Sequence, residues 1–238
     1  DLPSEALLVK ALADAGVTGY NVVVGESGTA DASERKQEIK CVVLTRFPVT
    51  ATRSHPTLNA RAILEVQVSV EGTPLFLFAN HWKSGAGDPE TEPVRVANAR
   101  TLRARLDEIL HADANADIII GGDLNSQYNQ KQRYPKMKAA GINDVLCSQG
   151  NELAVRQPDR PLYNLWFELP PDQRGSDTFR GEWGTLMHLL ISRGLYDHNG
   201  VQYVDNSFAV ARFQGLNADQ SGLPVRWIAD RAEEFVSG

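Results

Sequence analysis

A chain of 238 residues with 42% hydrophobic content can bury a sizeable core as one large domain or two small ones, and one domain is the expectation. Its formal net charge of -6 excludes a diffusely basic surface for nucleic acid and leaves only a local basic groove to guide a polyanion. Its two cysteines exclude a disulfide scaffold, and no apolar stretch reaches the roughly 20 residues that a membrane span requires. Cys41 and Cys147 read first as buried thiols and second as a single bridge. Asp1 opens the sequence with neither a signal peptide nor an initiator methionine, which reads as a processed or trimmed start.

In chain order, Pro3-Ser4-Glu5 is a helix-start signal, followed by Leu7, Leu8, Leu12 and Ala15 on one face and by Gly16 as the stop. Residues 20–24 and 41–45 read as strands separated by a polar, charged loop at 25–40. Over 61–70, Ala62, Leu64, Val66, Val68 and Val70 alternate with Arg61, Glu65, Gln67 and Ser69, the period of a half-buried strand. Glu71-Gly72 turns the chain and the apolar run 74–79 returns, which predicts an antiparallel hairpin that delivers His81. Between 92 and 111, Val96, Ala99, Leu102, Leu106, Ile109 and Leu110 keep helical spacing with charges opposite them, which predicts a long surface helix packed on a sheet. After the apolar run 117–120 come a short helix over 134–140, a loop at 157–161, an aromatic and apolar segment at 162–167, and strands over 185–192 and 202–210. This order predicts an α/β sandwich, with helices outside two packed sheets.

Two of the apolar runs end in residues that carry chemistry. The first leads into Asn80-His81-Trp82-Lys83-Ser84, the second into Gly121-Gly122-Asp123-Leu124-Asn125-Ser126, and such endings suit phosphate chemistry. His81 has an unperturbed pKa of about 6.5, so a neighbouring carboxylate sets its charge at neutral pH. Asp123 and Asn125, two apart on an extended segment, would face one phosphate or bound metal, and the glycines would let the backbone approach. Lys83 reads equally as a phosphate-binding charge or an exposed salt-bridging lysine. The blander alternatives are a strand-end histidine and ordinary turns at Gly-Gly-Asp and Asn-Ser.

In order and context these strings resemble the endonuclease/exonuclease/phosphatase family, the deoxyribonuclease-like hydrolases, and within it the bacterial extracellular-nuclease type. There, an Asn-x-His or Asn-His-x-x-Ser motif and a Gly-Asp-x-Asn motif end two inner strands of a four-layer sandwich of mostly antiparallel sheets. The resemblance implies a metal-dependent phosphodiester hydrolase acting on a phosphate-bearing substrate, nucleic acid among the candidates, in a secreted or periplasmic setting. Asp123 would orient or deprotonate the attacking water, Asn125 would bind the transition-state phosphoryl oxygen, and His81 would stabilise the same group. A divalent ion, usually magnesium, would neutralise the phosphate with Asp123 and Asn125 as ligands, while Asn80, Lys83 and Ser84 would contact substrate.

The segment Phe179-Arg180-Gly181-Glu182-Trp183-Gly184-Thr185-Leu186-Met187-His188 resembles the family's later Arg-Gly-x-Trp loop and the Leu-Asp-His-like strand after it. Arg180 and Trp183 would bind phosphate and stack a base, with loop packing as the alternative. Met187 stands where the family has an aspartate that supports a catalytic histidine, and a thioether accepts no strong hydrogen bond. His188 is then either a partial substitute, with a place in substrate binding, or a strand residue satisfied by a neighbour.

The family's Gln-Glu strand, which carries its main metal ligand, and its closing Ser-Asp-His triplet have no counterpart in 1–238; Gln220-Ser221-Gly222-Leu223-Pro224-Val225 fills the latter pattern only superficially. The expectation is therefore one family domain, short at both ends and a poor hydrolase as it stands. The alternatives are a non-catalytic member that binds a phosphate-bearing ligand or protein, and an unrelated glycan-binding sandwich that uses Trp82, Trp166 and Trp183.

Overall fold

The structure, a computed structural model, describes residues 4–27, 40–156, 162–226 and 236–237. Helix α1 (Ser4–Asp14) ends at the expected glycine. Gly16 has φ +78°, and the N–H groups of Gly16 and Val17 bond back to Ala13 and Leu12, closing the helix as a left-handed glycine does. Strands β1 (Asn21–Val24) and β2 (Val42–Thr45) form an antiparallel pair. Most of the loop expected between them lies outside the described residues, as does the whole of the 157–161 loop.

Strand β3 (Val49–His55) carries no apolar alternation and was not expected, yet it pairs with β4 (Ile63–Val70) as the edge of the main sheet. The predicted hairpin forms between β4 and β5 (Thr73–His81). Glu71 and Gly72 both have positive φ, the geometry of the turn that matches strand twist. Helix α2 (Glu92–Ala112) buries Val96, Ala99, Leu102, Leu106, Ile109 and Leu110, the six residues that the spacing selects. It crosses over to β6 (Asp117–Asp123), which runs parallel to β5, as a connection of this length requires.

Beyond β6 the elements are short: α3 (Gln130–Arg133), a π turn at Gly141–Val145, β7 (Ser148–Gln149), α4 (Glu152–Val155), β8 (Leu162–Asn164), β9 (Asp177–Phe179), β10 (Glu182–Gly184) and β11 (Met187–Ile191). No helix spans 134–140; α3 stops at Arg133 because Tyr134, which precedes Pro135, is held out of helical geometry. Residues 202–210 form coil rather than a strand, held by local bonds such as Tyr203 N–H to the Leu195 carbonyl. The pairs β12 (Val225–Arg226) and β13 (Val236–Ser237) close the described chain.

The main sheet runs β3-β4-β5-β6-β11-β8-β7, antiparallel except at β5–β6 and β7–β8. One face packs Phe78, Ile118, Ile120 and Leu190 against α2. The other packs Leu64, Val66, Leu75 and Ile191 with Cys41, Val23 and Val43 of the β1–β2 pair. The architecture is thus the expected α/β sandwich. Cys41 is buried as expected but Cys147 is exposed, and both are free thiols.

A buried carboxylate ties α2 to the sheet. Both Glu65 oxygens accept from Arg105 at 2.8 Å, and the His55 ring lies 2.7 Å from one of them. Burial pushes the Glu65 pKa up, but these hydrogen bonds outweigh it and hold the group down at about 2. A depressed carboxyl stabilises the fold above its unfolded pKa and loses that contribution as pH falls towards the folded value. Glu65→Gln should therefore cost about 3 kcal/mol at pH 7, read from urea midpoints, and the deficit should shrink as pH drops from 4.5 towards 2.

Candidate active site

The parallel register of β5 and β6 sets His81 directly beside Asp123, and paired residues of neighbouring strands share a face. The His81 Nε2 and Asp123 Oδ2 atoms are 3.6 Å apart, with side chains 34% and 18% exposed. That separation is an ion-pair distance, longer than a hydrogen bond. Trp82 N–H donates to the Asp123 carbonyl at 2.9 Å and closes the two strand ends together. Gly122 makes the approach possible: with φ +123°, any Cβ there would collide with the Asn80 carbonyl. The glycine pair therefore admits the neighbouring strand.

Asn125 reaches the site by a route other than extended spacing. Strand β6 ends at Asp123, whose Oδ1 accepts the Asn125 N–H at 2.8 Å in a turn that gives Asn125 φ +46°. Its side-chain amide then donates to the Trp82 carbonyl at 3.1 Å, so Asn125 is buried beside the pair with one amide hydrogen and its oxygen remaining.

Arg61 was missed in the sequence. Its charge lowers the His81 pKa and opposes the rise at Asp123, and its Nε is buried without a hydrogen-bond partner. The legible signal was the hairpin register: pairing Leu64 with Ala79 carries residues 61 and 62 to the level of His81. Burial is the first cause of the depressed His81 pKa, with Arg61 second and Asp123 opposing. Burial is also the main cause of the raised Asp123 pKa; the Asn125 N–H and His81 pull against it and Asp177 adds to it. A neutral imidazole beside a basic carboxylate, both near a guanidinium, can hold a tetrahedral anion and take a proton from water.

Several other motif residues support this pair from behind. Asn80 is buried, with its amide donating to the Phe78 carbonyl and its oxygen accepting from the Trp82 indole. His188, next in alternation to Met187, is 3% exposed, with its Nε2–H on the Ser126 carbonyl at 2.8 Å and its Nδ1 accepting from Asn164 at 3.2 Å. Burial pushes its pKa down to about 4 against the Ser126 bond. Both ring nitrogens are engaged, so His188 pins the loop after Asp123 and is not brought to a substrate. Ser84 is exposed and Lys83 half-buried on a loop whose carbonyls at both positions accept from Arg95. Trp82 and Trp166 are each 1% exposed, which removes two of the three tryptophans from any glycan platform.

Arg180 and Gly181 form the tip of the β9–β10 hairpin, the guanidinium of Arg180 lying over Phe179 at 5.1 Å. Trp183, stacked by Arg212 at 4.8 Å, faces a cavity of about 430 Å³ that Asn125, Tyr134, Arg133 and Phe179 also line. A second cavity, of about 480 Å³, lies between β2 and the sheet and has His81 at its end. Met187 pairs with Asp123 on β6 and is 47% exposed, so the position beside the carboxylate holds a thioether. Asp123 and Asn125 each carry an oxygen that could hold a metal, and among the described residues no group of three His, Cys or carboxylate ligands includes Asp123.

Three solved structures share this fold. An endonuclease/exonuclease/phosphatase family protein from Leptotrichia buccalis C-1013-b matches at TM-score 0.54 and 16% identity, over 82% of this chain and 69% of that one. Truncated Caenorhabditis elegans TDP2 matches at 0.51 and 16%, over 81% and 67%. The human Nocturnin catalytic domain, with a bound sulfate anion, matches at 0.51 and 15%, over 81% and 65%. The chain thus spans about two thirds of their length, and only 52% of the longer C. elegans TDP2; at these identities the likeness is one of fold. No curated protein sequence matches the chain. Residues 36–232 match the profile of the Endonuclease/Exonuclease/phosphatase family, and with that match over most of its length the chain belongs to that family.

Proposed function

We propose that residues 1–238 form a single domain of this family and carry the body of a metal-dependent phosphodiester hydrolase of nuclease type. The observation that supports it most is the placing of His81 and Asp123 3.6 Å apart at the open ends of β5 and β6, within the field of Arg61. In this reading Asp123 takes the proton of the attacking water. The free amide hydrogen of Asn125 and the Arg61 guanidinium hold phosphoryl oxygens. His81, kept neutral at pH 7 by its lowered pKa, donates one hydrogen bond to the same group. The cavity faced by Trp183, with Phe179, Tyr134 and Arg133 around it, takes the substrate part flanking the phosphate, a nucleobase in the nucleic-acid case; Arg180 at the hairpin tip meets a more distant phosphate.

The donor set at Asp123 and Asn125 is oxygen only, which suits magnesium, an ion that binds one or two carboxylates and completes its shell with water and substrate phosphate. When bound, the ion would neutralise phosphate charge. Met187 beside Asp123 favours a slow enzyme, and it also favours the second reading, a phosphate-ligand binder without turnover.

With a single-stranded oligonucleotide and a small activated phosphodiester as substrates in magnesium, the wild type should hydrolyse at least one of them. Asp123→Asn should reduce kcat/KM by about 10²–10⁴-fold; equal activity would remove Asp123 from the chemistry. Saturable oligonucleotide binding with no hydrolysis of either compound would select the second reading.

Stability gives an independent sign. A carboxyl whose folded pKa is raised stabilises the fold below its unfolded pKa and loses that contribution as pH rises through the folded value. Asp123→Asn should therefore unfold at a higher temperature than wild type at pH 7, although activity falls. The wild-type rate should show an acid limb, falling as pH drops through the raised Asp123 pKa, and no second limb from His81 above pH 6.5. Calorimetric titration should show weak magnesium binding that tightens with a phosphorothioate oligonucleotide present and disappears in Asp123→Asn.

A further inference from the structure

Away from His81 and Asp123, three carboxylates converge. Glu152 opens α4, Glu168 ends the turn Leu165–Glu168 after β8, and Asp205 lies in the coil beyond β11. One oxygen from each lies within 4.8 Å of the others. Among the described residues, no ion pair joins any of them to Lys, Arg or His. Three like charges at this spacing repel one another unless a cation lies between them.

Tyr196 supplies an independent observation. It is 6% exposed, and its hydroxyl is buried without a hydrogen-bond partner while lying in the field of Asp205, Glu168 and Glu152. A buried hydroxyl in a folded protein ordinarily has a partner. Its ring packs edge-on against Tyr163 and Tyr203 at 5.7 and 5.8 Å, and those two hydroxyls donate to the two oxygens of Glu168 at 3.3 and 3.0 Å. The Asn206 N–H donates to the same carboxylate at 2.6 Å, with φ +59° at Asn206, and this turn sets Asp205 beside Glu168. Glu168 is thus fixed in place by three donors and still has a lone pair for a fourth.

We infer that Glu152, Glu168, Asp205 and the Tyr196 hydroxyl form a calcium site that fastens the 201–210 coil to the β7–β8 side of the sheet. The donors are all hard oxygens, which excludes thiophilic metals. They come from four separate segments in an irregular, partly exposed arrangement, which calcium accepts with six to eight flexible ligands, whereas magnesium demands near-ideal octahedral geometry. The coil gains most from such a tie, because it has no strand pairing of its own.

The test is a titration of the full chain, freed of metal by chelation, with calcium chloride as the probe. The wild-type Tm should rise with the logarithm of calcium concentration above Kd, by about 5–10 °C at a hundred times Kd, and cleavage within the coil by a protease should slow in parallel. Glu152→Gln combined with Asp205→Asn, two exposed positions chosen so that Glu168 keeps its bonds, should fold and lose the calcium response. Asp123→Asn should retain it. No Tm shift in about 10 mM calcium, well above the weak range of known calcium modules, would overturn the site. A shift that survives the double substitution, or one abolished by Asp123→Asn, would overturn it equally by placing the ion elsewhere.

Discussion

The parallel pairing of β5 with β6 is the constraint on which the rest of the site depends. Parallel neighbours cannot be joined by a tight turn, so the chain must leave the sheet after His81, cross it and return. Helix α2 is that crossing, and its apolar stripe gives the sheet one of its two cores. Once the register places His81 against Asp123, the positions of the two side chains at the strand ends are set by backbone hydrogen bonds rather than by flexible loops. Gly122 is the weak point of that arrangement, since no other residue leaves room for the Asn80 carbonyl.

Around this pairing the polar residues of the two motifs divide their work. Only His81, Asp123 and Asn125 gather at the strand ends; Asn80, Trp82 and His188 turn inward and are satisfied by neighbours. Beneath the loop after His81, Arg95 is fully buried, pairs with Glu92 at 2.7 Å, and donates to the carbonyls of Lys83 and Ser84. Glu92 in turn accepts from Gln130 and from the Gly141 N–H. One buried ion pair on α2 therefore orders the loop on one side of Asn125 and the segment that follows β6 on the other. A pair with its remaining valences satisfied in this way defines geometry more than it adds stability.

Where the chain is regular, its pattern was legible. The six apolar residues of α2 and the β4–β5 hairpin follow from period and turn chemistry, because one face of each is buried against a sheet or helix. Strand β3 was hidden because an edge strand needs no apolar alternation: Thr50, Thr52 and Arg53 face solvent. The strand expected over 202–210 failed for the opposite reason, since Tyr203 packs on Tyr196 and bonds Glu168 while Phe208 packs on Trp166, instead of the segment pairing in a sheet. At the site, His81 and Asp123 were legible from the polar endings of two apolar runs. The spacing of Asn125 suggested a shared face, although the turn at Asp123 is what brings it there. Arg61 was overlooked as a site residue because it lies just before β4, 20 residues from His81 in sequence, and only the β4–β5 register carries it to that level.

The central claim is that His81, Asn125 and Arg61 together hold a phosphate group beside Asp123. The most direct measurement is an NMR titration of the His81 ring protons with a phosphorothioate dinucleotide, run without metal so that turnover plays no part. The account predicts a saturable shift of the His81 resonance that is weakened in Arg61→Ala, with the His188 resonance unmoved. A His81 resonance that ignores the ligand, while the protein binds it elsewhere, would contradict the account.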